Sequence, residues 1–155
     1  MGSIPLRYDE KRGVYLYESI RALELKYTLG IGGLSKFYEA LKEGKVLATK
    51  CTKCNTIYFP PQLDCPKCKS RDYVTWIEVP RRGKLITYTQ INVKPASHAH
   101  YQDYIIGVGE FNGIKILALI LTDDLKKINI GMDIELVVIS REPEKNLIYA
   151  FKPIR

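Results

Sequence analysis

The N-terminal third of the chain carries apolar residues at helical spacing. From Leu16, apolar side chains recur at Ile20, Leu23 and Tyr27, at intervals of four, three and four residues. Intervals of this kind place side chains on one face of an α-helix, so the pattern predicts a first helix that starts at Leu16. Residues 1–15 are charged and rich in tyrosine without a clear period. We expect them to form an arm that orders only on docking to the body or to a partner.

A glycine-rich break and a second helix follow. Three glycines within residues 30–33 favour a loop. Ser35 is expected to cap the N-terminus of the second helix, and Gly44 is expected to follow its C-terminus. The apolar face of this helix consists of Leu34, Phe37, Tyr38 and Leu41. Two helices this short cannot bury their apolar faces against each other alone, so they must pack on the rest of the body or on another chain.

After Trp76 the pattern changes from helical spacing to alternation. Residues 84–93 alternate with a period of two and are rich in β-branched side chains, which predicts a β-strand. Four further strands are predicted over residues 104–111, 114–121, 133–140 and 147–151. The pair Asn112-Gly113 between two of them predicts a hairpin with a type I′ turn. Five short strands predict a small closed barrel, the OB-fold, because the alternative of a small sandwich usually has more strands.

All four cysteines lie in one window, as two Cys-x-x-Cys pairs. Cys51 pairs with Cys54, and Cys65 pairs with Cys68. Two pairs at this separation predict a tetrathiolate zinc site, in which each pair forms a tight knuckle. A four-thiolate site also accepts iron, whereas disulfides are disfavoured in a chain without a secretion signal. Because four protein sulfurs complete the tetrahedron, the predicted site is structural and leaves no position for a substrate.

The formal net charge of +7 comes from the middle third of the chain. Residues 42–94 contain 11 Lys and Arg against 4 acids, and the rest of the chain has 13 of each. A concentrated positive field attracts partners that carry phosphate groups or acidic surfaces, but a solvated lysine-rich surface has the same composition. Arg81, Arg82 and Lys84 form a compact basic group in this segment. We weigh a phosphate-binding role for them against a solvated turn.

The sequence lacks the motifs of a self-sufficient enzyme and of a membrane protein. We find no glycine-rich phosphate loop, Ser-His-Asp set or nucleophile elbow, and all four cysteines are assigned to metal. For His98 and His100, near Asp103, we weigh metal binding or acid–base chemistry against exposed loop histidines and favour the second interpretation. No apolar run approaches the ~18 residues of a membrane helix, and the N-terminus lacks the apolar core of a signal peptide. We therefore expect a soluble, cytoplasmic protein without catalytic activity of its own.

The order of these features resembles a known family. An aromatic helix containing Phe37 and Leu41, a four-cysteine ribbon, Trp76 and a five-strand barrel follow one another. This order is similar to the family catalogued as domain of unknown function thirty-five, in which a rubredoxin-like zinc ribbon is joined to an OB-fold. The positions that match the family pattern are Cys51, Cys54, Pro60, Pro61, Cys65, Pro66, Cys68, Ser70, Gly83 and Gly131. Asn55 and Lys69 stand where many members have glycine, at turns that prefer a positive φ.

The resemblance, which covers residues 34–154, implies a fold and a function. The expected chain is mostly β with short N-terminal helices. Its predicted parts are an arm with two helices in residues 1–45, a zinc ribbon in 46–75 and an OB-fold barrel in 76–155. Members occur as small partners of thiolase-like enzymes, hydroxymethylglutaryl-CoA synthase and related acyl-CoA enzymes. The resemblance therefore implies an accessory or scaffold subunit that docks such an enzyme and helps bind or shield acyl-CoA.

Two sets of residues follow from this expectation. Arg81, Arg82 and Lys84 are the candidates for contact with the phosphates of coenzyme A. The two helical stripes supply the candidates for docking the partner enzyme, since part of each stripe is expected to remain free for another protein. These docking candidates are Leu23, Tyr27, Phe37 and Leu41.

The alternative function is binding of single-stranded nucleic acid, RNA in particular, because zinc ribbons and OB-folds both serve that purpose. Such binding needs aromatic platforms interleaved with basic residues on one face of a sheet. Tyr88 stands alone among Ile86, Gln90 and Asn92 on the first barrel strand, which is a thin platform. We therefore favour the accessory subunit.

Overall fold

The structure is a computed structural model that describes residues 6–17, 30–94, 101–122, 124–142 and 144–154. The chain divides into two compact units, residues 1–30 and residues 31–155. The second unit contains one α-helix among the described residues, α1 at Ser35–Lys42. The strands of the described residues are β1 Leu6–Asp9, β2 Val14–Tyr17, β3 Leu47–Cys51, β4 Ile57–Tyr58, β5 Val74–Glu78, β6 Arg82–Ile91, β7 Tyr104–Phe111, β8 Ile114–Ile120, β9 Asp133–Arg141 and β10 Asn146–Pro153.

The described part of the first unit is a β-hairpin in which β1 and β2 pair antiparallel. Asp9 organises the turn, because its carboxylate accepts the backbone N–H groups of Lys11 and Arg12 at 3.0 and 3.2 Å. The carbonyl of Asp9 also accepts the N–H of Gly13 at 2.8 Å. Gly13 has a φ of +65°, a conformation that glycine adopts without steric cost. An Asx-type turn that ends in glycine therefore closes the hairpin.

This hairpin corrects two predictions for the N-terminal region. Residues 6–9 and 14–17 are paired strands, whereas residues 1–15 were expected to form an arm that orders only on docking. Leu16 lies in β2 opposite Arg7, so the first predicted helix does not start at Leu16. The other members of that helical stripe, which include the docking candidates Leu23 and Tyr27, lie outside the described residues.

The second predicted helix is confirmed as α1. It begins one residue earlier than expected, because Ser35 is already helical and does not cap the helix with its side chain; Leu34, the last residue of a 3₁₀ turn over Gly32–Leu34, stands at the N-cap position. Gly44 follows the helix as predicted, with a φ of +71°. Its N–H donates to the carbonyl of Leu41, and the N–H of Lys45 donates to that of Ala40. This pair of bonds is a Schellman motif, which satisfies the last carbonyls of the helix.

The strands β6 to β10 form the predicted barrel. They close in the order β10-β8-β7-β6-β9, in which β10 and β8 are parallel and the other neighbours are antiparallel. This is the five-stranded Greek-key barrel of the OB-fold. All five strands predicted from the sequence are confirmed, and no end shifts by more than two residues. Asn112 and Gly113 join β7 to β8 with φ values of 50° and 82°, as the predicted type I′ turn requires.

A bulge interrupts the alternation of β6. The register between β6 and β7 shifts between Leu85 and Thr87. Leu85 faces the barrel interior, but Thr87 is exposed, and Tyr88 is half-buried against the core. The strict period of two that the sequence shows over residues 84–93 therefore does not correspond to one continuous inner face.

The second unit has one hydrophobic core that the helix, the ribbon and the barrel share. Phe37 and Leu41 of α1 belong to it, together with Leu47 of β3 and the barrel residues Phe111 and Phe151. Trp76 of β5 packs against the same cluster. The ribbon sheet β4-β3-β5 and the barrel are therefore parts of one packed body. The predicted boundaries at residues 45 and 75 stay predictions. No helix among the described residues is long and apolar enough to span a membrane.

Candidate metal centre

The four cysteine sulfurs lie together at one end of the ribbon sheet. All four Sγ atoms lie within 4.8 Å of one another. Cys51 and Cys65 are buried, Cys54 is half-buried and Cys68 is exposed. Four thiols from two sequence-distant pairs thus converge on one point, as the spacing of the cysteines predicts.

Each pair sits on a tight backbone turn. In the first turn, the N–H of Asn55 donates to the carbonyl of Cys51 at 2.9 Å, and Asn55 has a φ of 57°. In the second turn, Lys69 has a φ of 53° and the N–H of Cys65 donates to the carbonyl of Ser70 at 3.0 Å. The two positions where many family members have glycine therefore adopt the left-handed conformation that glycine favours.

The spacing of the sulfurs fits a tetrahedral metal. Sulfur ligands at about 2.3 Å from a zinc ion lie about 3.8 Å from one another at the corners of a tetrahedron. The Sγ atoms of Cys51 and Cys68 are 3.7 Å apart, and those of Cys54 and Cys65 are 3.5 Å apart. These two distances are close to those of a four-thiolate metal site, so the residues present suit such a metal.

The surroundings of Cys51 and Cys65 favour the thiolate form that binds metal. A hydrogen bond from the backbone N–H of Cys54 lowers the pKa of the Cys51 thiol to about 6. The hydroxyl of Tyr58, 3.2 Å from the Cys65 sulfur, lowers the pKa of the Cys65 thiol in the same way. Because metal ligands must be deprotonated cysteines, both shifts favour metal binding near neutral pH. The pKa of the Cys68 thiol is raised instead, because the hydrogen bond from Ser70 is outweighed by those with the Cys65 and Cys51 sulfurs and by burial.

The basic group near the first barrel strand is neighboured by acids. Arg82 and Lys84 line a cleft of about 440 Å³ that also contains Glu110 and Asp133. The ammonium of Lys84 lies 3.0 Å from the carboxylate of Asp133. The carboxylates lower the local positive potential, which disfavours a strong phosphate site. Arg81 is exposed at the same end of β6, and phosphate binding by Arg81, Arg82 and Lys84 stays a prediction.

The docking candidates on α1 are packed inside the protein. Phe37 is 9% exposed and Leu41 is 3% exposed, and both belong to the core. The ring of Phe37 contacts those of Phe59 and Tyr149, with centroids 6.4 and 6.3 Å away. Direct contact with another protein needs an exposed side chain, so this placement does not support a docking role for Phe37 and Leu41. The exposed aromatic of the same helix is Tyr38, at 53%.

An apolar surface that the sequence interpretation missed lies on the outside of the barrel. In β7 and β8 the inward residues alternate with outward ones, and the outward rows pair Ile106 with Leu119 and Val108 with Leu117. Thr87 and Thr89 of β6 extend these rows across a third strand. We call these six residues the barrel patch. Leu117 is 59% exposed. The outer face of an antiparallel sheet is normally polar, so this uncharged, mainly aliphatic area is a candidate interaction surface.

Tyr88 and the barrel patch offer little to single-stranded nucleic acid. Tyr88 is half-buried, and its hydroxyl donates to the carbonyl of Ile128 at 3.3 Å. The barrel patch contains no aromatic and no basic side chain, whereas strand binders combine both. These observations do not support the nucleic-acid alternative.

Comparison with known proteins identifies both parts of the second unit. The family model described as ChsH2, rubredoxin-like zinc ribbon domain, matches residues 39–74. The family model described as ChsH2, C-terminal OB-fold domain, matches residues 76–139. The hairpin of residues 6–17 lies outside both matches.

Relatives and solved structures agree with these matches. A DUF35 domain-containing scaffold protein of Methanocaldococcus jannaschii is 30% identical over 137 residues, covering 84% of this chain and 97% of that protein. A probable enoyl-CoA hydratase alpha subunit of Thermomonospora curvata is 28% identical over 112 residues, 72% of this chain but 34% of that protein. The solved structure of an Ltp2-ChsH2(DUF35) aldolase shares the fold, with a TM-score of 0.66 at 23% identity over 82% of this chain and 98% of that chain. The chain therefore belongs to the DUF35 family, in which a ChsH2-type zinc ribbon is joined to an OB-fold barrel.

Proposed function

We propose that this chain is a non-catalytic scaffold subunit that docks an enzyme of acyl-CoA metabolism through the barrel patch. Three comparisons support the proposal. One relative is described as a scaffold protein, another as an enoyl-CoA hydratase alpha subunit, and the matching structure as an aldolase that contains a DUF35 chain. The resemblance of the sequence to DUF35 partners makes a thiolase-like or hydroxymethylglutaryl-CoA synthase-type enzyme the proposed partner.

The barrel patch is the observation that carries the docking role. Its aliphatic side chains, Ile106, Val108, Leu117 and Leu119, lie on two adjacent strands with no charge between them. Fully burying one side chain of this size contributes about 1.5–3 kcal/mol. Two or three of them at the centre of an interface would therefore supply a large part of its apolar burial. An apolar area on the partner enzyme is the matching surface.

The proposed role of Cys51, Cys54, Cys65 and Cys68 is to hold one structural metal ion, zinc by preference and iron as the alternative. The metal supplies a cross-link between the two turns, in a region that is too small for a core of its own. A divalent ion with four thiolates carries a net charge of −2. Lys53 and Lys67 lie between the cysteines of each pair in the sequence, and Lys69 and Arg71 follow the second pair. Part of the positive charge of the ribbon therefore offsets the negative charge of the metal centre.

Direct contact with coenzyme A is a second, more specific part of the proposal. Arg81 and Arg82 remain the candidates for the phosphates of an acyl-CoA held between this chain and its partner. Charge reversal of both, Arg81→Glu with Arg82→Glu, is expected to weaken acyl-CoA capture by the complex at low salt, where electrostatic effects are largest. Equal capture by the wild-type and reversed complexes would show that these arginines do not bind the phosphates.

A capture experiment tests the docking proposal. The tagged full chain is expressed in its native cells and purified with whatever it binds, and the bound enzyme is then identified by mass spectrometry and assayed with acyl-CoA substrates. We expect an acyl-CoA enzyme to be captured by the wild type. We expect Leu117→Glu to reduce its capture at least tenfold, because a carboxylate in an apolar interface loses its hydration without compensation.

Ile130→Glu is the matched control for this experiment. Ile130 is also apolar and is 68% exposed, but it lies in a turn outside the barrel patch. It should retain wild-type capture, and thermal melting should show that both variants are folded. Unchanged capture by the Leu117→Glu variant, or co-purification of RNA in place of an enzyme, would contradict the proposal.

Catalysis by the isolated chain is tested separately. The purified protein is incubated with acetyl-CoA and acetoacetyl-CoA, and free thiol release is followed with a chromogenic reagent. We expect no release above the buffer rate. Turnover by the chain alone would make it an enzyme in its own right and not a scaffold.

A further inference from the structure

A hydroxyl group lies against every sulfur of the candidate metal centre. Three side chains supply these hydroxyls, Thr56, Tyr58 and Ser70, which we call the outer hydroxyls. Their closest sulfur contacts are Thr56 to Cys54 at 3.2 Å, Tyr58 to Cys65 at 3.2 Å and Ser70 to Cys68 at 3.0 Å. The hydroxyl of Ser70 also lies 3.7 Å from the fourth sulfur, that of Cys51.

Backbone pairing holds the outer hydroxyls in place. The carbonyl of Thr56 accepts the N–H of Cys51 at 2.9 Å, and that of Ser70 accepts the N–H of Cys65 at 3.0 Å. Tyr58 lies in β4 opposite Thr49 of β3. Each hydroxyl therefore comes from a residue that the ribbon fold itself anchors beside the cysteines.

The direction of these hydrogen bonds follows from what each group can do. A thiolate can only accept, whereas a hydroxyl rotates to donate. The oxygen of Tyr58 already lies 3.4 Å from the backbone N–H of Lys67, which can only donate to it. The phenol proton is therefore free to point at the sulfur of Cys65. Ser70 is buried, so its proton has little access to water and faces the sulfurs of Cys51 and Cys68.

At Cys54 the contact runs from the sulfur to the Thr56 oxygen, so Tyr58 and Ser70 are the two outer hydroxyls that can donate to sulfur. We propose that Tyr58 and Ser70 are positioning residues that set the metal affinity of the four cysteines by donating hydrogen bonds to the thiolates of Cys51, Cys65 and Cys68. Four thiolates around one divalent ion repel one another, and donors at three of the sulfurs spread that charge without entering the coordination shell. Hydrogen bonds of this kind orient ligands and typically change metal affinity about 10–100-fold. This inference rests on the metal site proposed above, and it assigns a role to residues outside the Cys-x-x-Cys pattern.

Matched variants separate this role from a general effect on the ribbon. Tyr58→Phe and Ser70→Ala each remove one sulfur-facing hydroxyl. Tyr73→Phe and Thr52→Ala are the controls, because both residues lie in the ribbon. The hydroxyl of Thr52 donates to the carbonyl of Tyr73 at 3.2 Å, and neither control residue contacts a sulfur among the hydrogen bonds described.

Zinc affinity is measured on the reduced full chain by competition with a chromophoric chelator. We expect a Kd about tenfold higher for Tyr58→Phe and for Ser70→Ala, about 100-fold higher for the double variant, and unchanged in the controls. Far-UV circular dichroism of the zinc-saturated proteins gives the second readout, because a merely structural role would change the spectrum of the loaded variants as well. We expect those spectra to match that of the wild type.

Substitution with cobalt(II) gives a spectroscopic readout. Loss of a donor raises the energy of the sulfur lone pairs, so the thiolate-to-cobalt charge-transfer band should move to longer wavelength in Tyr58→Phe and Ser70→Ala only. An unchanged zinc Kd and an unchanged band in both variants would overturn the inference while leaving the metal site intact. Equal weakening in the sulfur-facing and control variants would also overturn it. Failure of the wild type to bind zinc or cobalt would instead refute the metal site on which the inference rests.

Discussion

The cysteine end of the ribbon and the interior of the barrel contain different kinds of buried side chain. Around the sulfurs the buried residues are small, namely Cys51, Cys65 and Ser70. In the barrel, Phe111 and Phe151 fill the interior together with branched aliphatic residues, and their rings are 5.5 Å apart. Burial of apolar surface can stabilise the barrel. The buried residues beside the cysteines are too small to bury much apolar surface. The comparison implies that a metal ion stabilises one end of the same packed body and apolar packing the other.

Replacing one metal ligand should have the largest effect. Cys65→Ser leaves three sulfurs, and structural zinc in small ribbons contributes about 10 kcal/mol or more to folding. We expect the metal content to fall from one ion per chain to nearly none, and the ribbon turns to lose their structure while the barrel stays folded. Elemental analysis and far-UV circular dichroism measure both effects. Full metal content in the variant would show that these cysteines do not form the site.

Phe37 tests the junction of the two regions, because its ring contacts Phe59 of the ribbon and Tyr149 of the barrel. Phe37→Ala should lower the free energy of unfolding by about 3–5 kcal/mol, as expected when a buried aromatic leaves a cavity. Tyr38→Ala on the same helix is the control. Because the Tyr38 side chain is exposed, this substitution should change the free energy of unfolding by less than about 1 kcal/mol. Urea denaturation measures the free energy of unfolding of the two variants. Equal stability of the two variants would contradict the shared core.

Gly83 tests how tightly the barrel is packed. A Cβ atom at this position would lie 2.4 Å from the carbonyl oxygen of Glu110 and 2.6 Å from the ring of Phe111. Because the oxygen belongs to the backbone, Gly83→Ala should destabilise the barrel by about 1–3 kcal/mol. The control is Gly30→Ala, where no atom of the described residues, apart from its chain neighbours, lies within 4 Å of the added methyl group. A melting temperature unchanged by Gly83→Ala would mean that the barrel is looser than described.

The smallest expected effect is a stabilisation at the ribbon turns. Lys69 has a φ of 53°, which disfavours a side chain with a Cβ atom. Lys69→Gly should therefore stabilise the metal-loaded protein by about 0.5–1 kcal/mol, after the greater unfolded-state entropy of glycine is taken into account. Asn55→Gly should stabilise the protein less than Lys69→Gly does, since asparagine tolerates this conformation. Thermal melting measures the stability of both variants. A larger stabilisation by Asn55→Gly than by Lys69→Gly would contradict the explanation from positive φ.

The sequence predicted the barrel and the cysteine cluster well, because both depend on strong local signals. Strict alternation and the Asn112-Gly113 turn located the strands. The paired spacing of the cysteines located the metal centre without any knowledge of the fold. Metal-ligand spacing and type I′ turns are short-range features, so they can be recognised one segment at a time.

Features that depend on more distant contacts were missed. Leu16 began an apparent helical stripe, but pairing with Arg7 and the Asp9 turn made its segment a strand. Asp9 followed by Gly13 was the available signal for that hairpin. Phe37 and Leu41 formed a true amphipathic face, and the sequence could not tell whether this chain or a partner would cover it.

The barrel patch was missed for a related reason. Residues 116–121 are apolar at both inward and outward positions, which is unusual for a strand with one face in water. The run predicts a strand but does not specify what its outer side chains contact. The bulge at Leu85 was equally hidden, because one extra residue in β6 leaves no mark on the alternation of residue types.

Hydrogen exchange with mass spectrometry, on the full chain with zinc and after chelation, tests the central comparison most directly. We predict that removing the metal will abolish the protection of the backbone N–H groups of Cys51 and Cys65, which bond Thr56 and Ser70 across the two turns. Amides of β7, β8 and β10 should keep their protection, because the barrel interior does not depend on the metal. Equal loss of protection in the ribbon turns and the barrel, or no change in either region, would contradict the account.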